Sequence, residues 1–408
     1  MVAPGAVAAS EVPLVATEAR ELPRRRLDSV DLLRGVVMVV MALDHVRDYF
    51  TRSAHQFDPA DLTRTTVPLF LTRWITHFCA PTFVFLAGAS AFLYGSRAGR
   101  TRPELARFLL SRGLWLVFIE LTVVRFAWLF NFDYRFFPLQ VIWAIGWSMV
   151  VLAGLVLLPT PLVGLFGVVM IASHNLLDGI GASRLMAAPG VFTHAGVRDW
   201  VWSILHVQNP PVRYPLIPWI GVMAAGYAFG PLLCHEAAQR RRELLRLGTV
   251  LVIGFILLRA LNVYGDPQPW SVQPTGAFTL LSFVNTTKYP PSLLFLLMTL
   301  GPAILSLVLF ERVRGPVGRF FIVYGRVPFL FYVAHLYLIH ALVLVIAGLR
   351  GEDLHAYLTL WRLMPDSWGY SLGVGYTVWV FVVVALYPLC RWFAGVKERR
   401  RDAWLSYL

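Results

Sequence analysis

Long apolar stretches alternate along this chain with short clusters of charged residues. A helix needs roughly 17–25 mostly apolar residues to cross a bilayer. Runs of about that length or longer lie near 29–46, 68–95, 106–129, 138–158, 160–176, 214–234, 246–263, 290–310, 319–346 and 370–392. The pattern predicts an all-α, polytopic membrane helix bundle of about ten transmembrane helices. Pro159-Thr160-Pro161 makes a tight turn between the fourth and fifth runs. Several runs exceed what the hydrocarbon layer requires, which leaves room for tilt. No internal repeat and no matched pair of broken spans is visible. Both are common in transporters, so their lack argues against that class.

The charges orient the bundle. Basic clusters fall at Arg20 to Arg26, Arg97 to Arg112, Arg240 to Arg246, Arg312 to Arg319 and Arg391 to Arg401, each after an even number of spans. Loops that stay in the cytoplasm carry such an excess of lysine and arginine. The N-terminus and C-terminus are therefore both expected to be cytoplasmic. The opposite side carries the longer loops, about 47–67, 177–213, 264–289 and 347–369, rich in Pro, Trp, Tyr and His. Long ordered loops tend to carry function, so an acceptor substrate is expected on that outer face.

Composition agrees. Of 408 residues, 57% are hydrophobic and 14% charged, against about 25% charged in soluble domains. The net charge of +13 raises the question of nucleic acid. The basic residues belong to the loops, however, and no basic-aromatic recognition motif is present, so no nucleic-acid partner is expected. Cys79, Cys234 and Cys390 are scattered, with neither a disulfide framework nor zinc spacing, and read as small buried hydrophobes. Residues 1–26 lack the order of a signal peptide, because Glu11, Glu18 and Glu21 interrupt and the positive charge comes last. They read as a disordered cytoplasmic tail. Residues 27–395 then form the membrane domain and 396–408 a basic cytoplasmic tail.

The candidate chemistry concentrates in the first span. Arg34 and His45 are eleven residues apart, return to nearly one helix face and stand about 16 Å apart along the axis. Met38, Met41 and Asp48 share that stripe, and Asp44 precedes the histidine. Ionisable groups placed this way in a membrane are costly and mark functional sites by default. The bland alternatives are an interfacial Asp31–Arg34 pair and an Asp44-His45 helix end. In the second span Arg73, His77 and Pro81 follow helical spacing, with small residues at 87–91 suited to close packing. His77 either faces the His45 site or is a core histidine. His55 lies in the intervening outer loop. Glu120, Arg125 and Arg259 read as buried partners for one another. His335 and His340, five apart, point in different directions, and no HExxH, paired-thiolate or carboxylate-rich motif appears, so no metal is expected. The chain also has no glycine-rich phosphate loop.

Asp28-Ser29-Val30-Asp31-Leu32-Leu33-Arg34-Gly35 resembles the opening motif of the heparan-alpha-glucosaminide N-acetyltransferase catalytic family and its bacterial relatives. Pro81, Phe83-Val84-Phe85 and Gly88 resemble the second-span motif. Pro218-Trp219-Ile220-Gly221 and Asn285-Thr286-Thr287-Lys288-Tyr289-Pro290-Pro291-Ser292 are more loosely similar. The spacing from Arg34 to His45 is also similar to that in the wider group of membrane acyltransferases that modify cell-surface sugars. The resemblance implies a membrane enzyme that takes an acetyl group from cytosolic acetyl-CoA and delivers it to an amino sugar across the membrane. It also implies a catalytic histidine on the non-cytosolic side, shortly after the first span, assisted by a polar residue at the end of that span. His45 holds the end-of-span position and His55 lies in the loop, so both stay open, with His77 third.

The expected function is transfer of an acetyl or other acyl group from acyl-CoA to an amine or hydroxyl of an extracytoplasmic sugar or glycan, in a bacterial inner membrane. His45 is the first choice for the base, with Asp44 or Asp48 orienting it. Direct acyl-imidazole formation is the other route. Arg34, Arg107 and Arg112 are expected to hold the phosphates of CoA, because guanidinium suits phosphate. Homo-oligomer formation is left open. The rival class is a non-enzymatic membrane protein, either a transporter or a scaffold for envelope machinery.

Overall fold

The computed structural model describes residues 27–96, 100–400, 402 and 405. Each of the ten apolar runs is helical. They give α1 (Asp28–Phe50), α3 (Val67–Thr76) with α4 (Cys79–Gly95), and α5 (Arg102–Ile119) with α6 (Arg125–Leu129). Next come α7 (Val141–Leu155), α8 (Thr160–Ser173), α10 (Leu216–Leu233), α11 (Ala237–Leu261) and α13 (Leu293–Phe310). Last are α14 (Pro316–Arg326), α15 (Pro328–Leu349) and α16 (Leu372–Arg399). The connections add α2 (Arg52–Gln56), α9 (Val197–Leu205), α12 (Gly276–Val284) and a small antiparallel hairpin, Met186–Ala188 with Val191–Phe192.

Among the described residues, seven helices are long and apolar enough to cross a membrane. The remaining runs fall short of that standard for specific reasons. The first carries Asp28, Asp31, Arg34, Asp44, Arg47 and Asp48 within one helix. The helices of the third carry Arg102, Glu104, Arg107, Arg112, Glu120 and Arg125, and the fourth has only 15 helical residues.

Three expectations change in detail. The run at 319–346 is two helices, because Pro328 offers no N–H to continue α14 and disfavours helical backbone in the residue before it. The run at 68–95 breaks at a His77-Phe78 turn. Residues 396–399 of the expected basic tail are helical, as the end of α16. The first 26 residues and Arg97 lie outside the described residues.

Glu120, Arg125 and Arg259 are not partners of one another. Glu120 accepts from the Gln140 amide at 2.8 Å. Arg125 donates to backbone carbonyls of Asn131, Asp133 and Phe136. Arg259 donates to those of Gln268, Ser282, Phe283 and Asn285. These two arginines hold connections between helices in shape, because a buried guanidinium must find acceptors and loop carbonyls are the nearest.

The exterior is apolar where a soluble protein would be charged. Leu110, Leu114 and Phe118 on α5 are exposed, as are Leu162, Leu165 and Val169 on α8. So are Val250, Ile253 and Leu257 on α11 and Val380, Phe381 and Val384 on α16. A surface of this kind is compatible with lipid tails.

Without water to drive them together, helices in a membrane associate by close packing over small residues. At the α1–α14 crossing, a Cβ on Gly35 would meet the Phe321 carbonyl oxygen at 1.8 Å, and one on Gly325 would meet that of Asp31 at 1.8 Å. Backbone touches backbone there, so no side chain can move aside. Gly325→Leu should therefore leave little monodisperse protein in detergent, as fluorescence-detected size exclusion would show. Gly254→Leu, where a Cβ meets only the tip of Leu297 at 3.9 Å, should elute like the parent.

Candidate active site

The two ends of α1 gather different neighbours. At one end Arg34 bonds Ser90 of α4 (2.9 Å), pairs with Asp31 (3.2 Å) and reaches the Gly325 carbonyl of α14. Arg326 and Glu398 pair nearby. The expected Asp31–Arg34 ion pair is thus present. Arg107 is exposed and Arg112 half-buried, both on α5.

The other end of α1 opens into a cleft. It is lined by Asp44, His45, Arg47 and Asp48 of α1, by Arg73, and by residues of the connections such as Asp58, Arg213, Tyr289 and Arg362. Every long connection on this side sends residues into it. Trp368 closes the end of α1 by donating from its indole to the Tyr49 carbonyl at 2.7 Å, so Trp361 and Arg362 reach the cleft wall.

The carboxylates beside His45 in sequence do not face it. Arg73 Nη1 donates to both oxygens of Asp44 (2.9 and 2.8 Å), and Thr76 donates at 2.8 Å. Arg47 lies 2.8 Å away and Lys288 3.9 Å. Asp48 accepts from Arg47 at 2.5 Å. What meets His45 is a second imidazole. His45 Nδ1 lies 2.7 Å from His335 Nε2, and the two rings stack with centroids 5.0 Å apart. Trp128 packs edge-on against the same ring at 4.9 Å.

This arrangement decides the proton positions. His335 Nδ1 lies 2.7 Å from the Phe331 carbonyl, which can only accept. His335 therefore carries its proton on Nδ1 and offers a lone pair at Nε2. His45 must then donate from Nδ1, which leaves Nε2 as its basic atom. Among the described residues Nε2 of His45 has no hydrogen-bond partner, and His45 lines the cleft. An acceptor at Nδ1 that fixes the tautomer is the arrangement a general base needs.

The other candidates stand elsewhere. His55 is in α2, half-buried beneath the 361–362 segment, and burial pushes its imidazole below the ordinary value. His77 is buried against Phe295 with ring centroids 5.3 Å apart, does not line the cleft, and has no hydrogen-bond partner at Nδ1 among the described residues. His335, noted in the sequence only for its separation from His340, carries no local signal of its role, because its partner is 290 residues away.

The cleft is rich in cations. Arg213 and Arg362 both line it, and each lacks a carboxylate within 4.0 Å among the described residues. Arg213 lies over the Tyr289 ring at 4.3 Å. Burial alone would raise the Tyr289 phenol, but Lys288, Arg213 and Arg73 outweigh it and bring it below the ordinary range. Burial likewise opposes ionisation of Asp58, and the Arg73 charge prevails and lowers its pKa. The segment 285–292 is tied down by Asp266, which accepts from Thr287 and Ser292. That knot presents Lys288 to Asp44 and Tyr289 to the cleft.

No curated protein matches the chain. The sequence profile of the catalytic region of heparan-alpha-glucosaminide N-acetyltransferase does, over residues 26–265. The match covers more than half of the chain and includes α1, His45 and the Arg73–Asp44 pair, whereas His335, Tyr289 and Arg362 lie beyond it. With the opening motif of α1, the apolar helices and this match in agreement, the chain belongs to the heparan-alpha-glucosaminide N-acetyltransferase catalytic family, a family of membrane acyltransferases.

Proposed function

We propose that this protein transfers an acetyl or other acyl group from cytosolic acyl-CoA to an amine or hydroxyl of an extracytoplasmic sugar or glycan. The observation that carries the reading is the His335–His45 pair at the floor of a cation-rich cleft. In this scheme His45 Nε2 takes the proton of the acceptor as its nitrogen or oxygen attacks the thioester carbonyl. The tetrahedral intermediate collapses, the C–S bond breaks, and the CoA thiolate takes a proton from the imidazolium. In the covalent variant, Nε2 itself attacks, CoA thiol leaves, and the acyl-imidazole passes its acyl group to the acceptor. Mass spectrometry of acid-quenched protein, seeking one acyl group on His45, separates the two routes.

Arg213 and Arg362 suit an acceptor that bears a phosphate or carboxylate, since a guanidinium pair without a carboxylate partner favours an anion. At the other end of α1, Arg34 is the candidate for CoA phosphates, with Arg107 and Arg112 near the same membrane surface. Arg34→Ala should raise the dissociation constant for acyl-CoA while acceptor binding stays constant. The loss of a charge-assisted phosphate contact costs about 1.5–3 kcal/mol, roughly 10- to 150-fold in affinity. Calorimetry with a non-hydrolysable CoA thioether reads this directly, and unchanged affinity would return Arg34 to a structural pair with Asp31 and Ser90.

The orientation follows the basic clusters: about ten spans with both termini cytoplasmic. Reporter fusions after residues 240 and 400 should read cytoplasmic, and fusions near 190 and 275 external. A cytoplasmic signal at 190 would overturn this topology. The test of the function is CoA-thiol release by purified protein across acyl-CoA donors and amino-sugar or glycan acceptors. If no donor and acceptor pair gives turnover, the transporter or scaffold reading takes precedence.

A further inference from the structure

We infer that His174, Asp178 and His206 form a binding site for a divalent transition-metal cation of the zinc class, separate from the His45 cleft. His174 opens the 3-10 turn that ends α8, Asp178 caps that turn, and His206 caps α9. Both histidines are buried, at 2% and 1% exposure. His174 Nδ1 and His206 Nε2 face each other at 3.4 Å, and Asp178 Oδ1 lies 3.8 Å from His206 Nε2. The three donor atoms all lie within 4.8 Å of one another.

The distances favour an ion over a bare hydrogen bond. Nitrogen donors typically sit 2.7–3.2 Å from their acceptors, as His45 and His335 do at 2.7 Å. A zinc ion holds histidine nitrogens at about 2.0–2.1 Å, so two ligands in a tetrahedron stand about 3.4 Å apart. The separation of the two nitrogens matches that value. Asp178 stands 3.8 Å from His206 Nε2 and within 4.8 Å of the His174 donor, so the carboxylate must move inward to complete the set. Two neutral imidazoles and one carboxylate leave a fourth position for water.

The surroundings resemble those of metal ligands. Asn175 donates to Asp178 Oδ2 at 2.8 Å, which turns Oδ1 toward the rings. Its own carbonyl oxygen accepts from the Leu293 amide at 2.9 Å. Hydrogen-bonded outer partners such as Asn175 orient the ligands of metal sites. His174 Nε2, on the far side of its ring, is buried with no hydrogen-bond partner among the described residues. A bound cation would tie the end of α8 to the end of α9 and so hold the 207–214 segment, which carries Arg213 and Tyr214 to the cleft.

The test needs no turnover. Full-length protein in detergent, purified on a tag without histidines, is stripped with a chelator, dialysed and titrated with Co²⁺ and then Zn²⁺. The expected result is one Co²⁺ per chain with visible ligand-field absorption, displaced by Zn²⁺, and a higher melting temperature with Zn²⁺. His206→Gln, which keeps volume and a hydrogen-bonding group, and Asp178→Asn should each remove stoichiometric binding while remaining monodisperse. His55→Ala should retain it. Binding well below one equivalent in the parent, or undiminished binding in monodisperse His206→Gln and Asp178→Asn, would overturn the site and leave the pair as a hydrogen bond between two neutral rings.

Discussion

His45→Ala should lower single-turnover acyl transfer by about 10²–10⁴-fold, the usual contribution of a positioned general base. Acyl-CoA binding should be unchanged, and elution in detergent checks the fold, because the ring also joins α1 to α15 through His335. His335→Ala removes the acceptor that selects the Nδ1–H tautomer of His45. It should reduce the rate, shift the acid limb of the pH–rate profile and leave the affinity for CoA alone. His335→Gln supplies an amide oxygen to the same N–H and should recover part of the rate, which a purely structural role would not require. His55→Ala and His77→Ala should be milder. If His55→Ala abolishes transfer while His45→Ala retains it, the loop histidine is the base. If all of these variants keep full transfer, histidine catalysis fails.

The second large effect is on stability. Asp44 is the shared counter-charge of Arg47, Arg73 and Lys288, whose side chains are only 2%, 8% and 7% exposed. Removing one partner of a buried ion pair typically costs about 3–5 kcal/mol, because the remaining charge stays buried without compensation. Here three cations lose the same partner. Asp44→Ala should therefore lower the melting temperature sharply or prevent recovery of monodisperse protein. Asp44→Asn keeps the volume and the Thr76 hydrogen bond but not the charge, and should fall between. A thermal ramp followed by size exclusion measures all three proteins. An Asp44→Ala variant that melts like the parent yet transfers no acyl group would instead assign Asp44 to the chemistry.

Much of the architecture was legible in the order of residues. A lipid-facing helix must be apolar over a set length, so such helices register as apolar runs; each of the ten runs is helical, and seven helices are long and apolar enough to cross a membrane among the described residues. The motif on α1 marked the family, and the exceptional charge of that helix marked the candidate site. Local spacing alone put Arg34 and His45 on one face of α1, because eleven residues on a regular helix return to one face, although the helix runs on past His45 to Phe50.

What tertiary structure decided is who faces whom. Asp44, adjacent to His45 in the chain, points to Arg73 from another helix, since neighbours in a helix diverge by about 100° and a buried carboxylate takes the strongest donors in reach. The partner of His45 comes from α15, 290 residues on, and no periodicity within one segment encodes a contact across that separation. The same holds for His206, brought to His174 and Asp178 by the folding of a connection that has no repeat to read. Local periodicity reports which side of each helix is apolar. Only the packing of the bundle brings distant polar residues into one cleft, because burial forces each of them to find a partner wherever the fold supplies it.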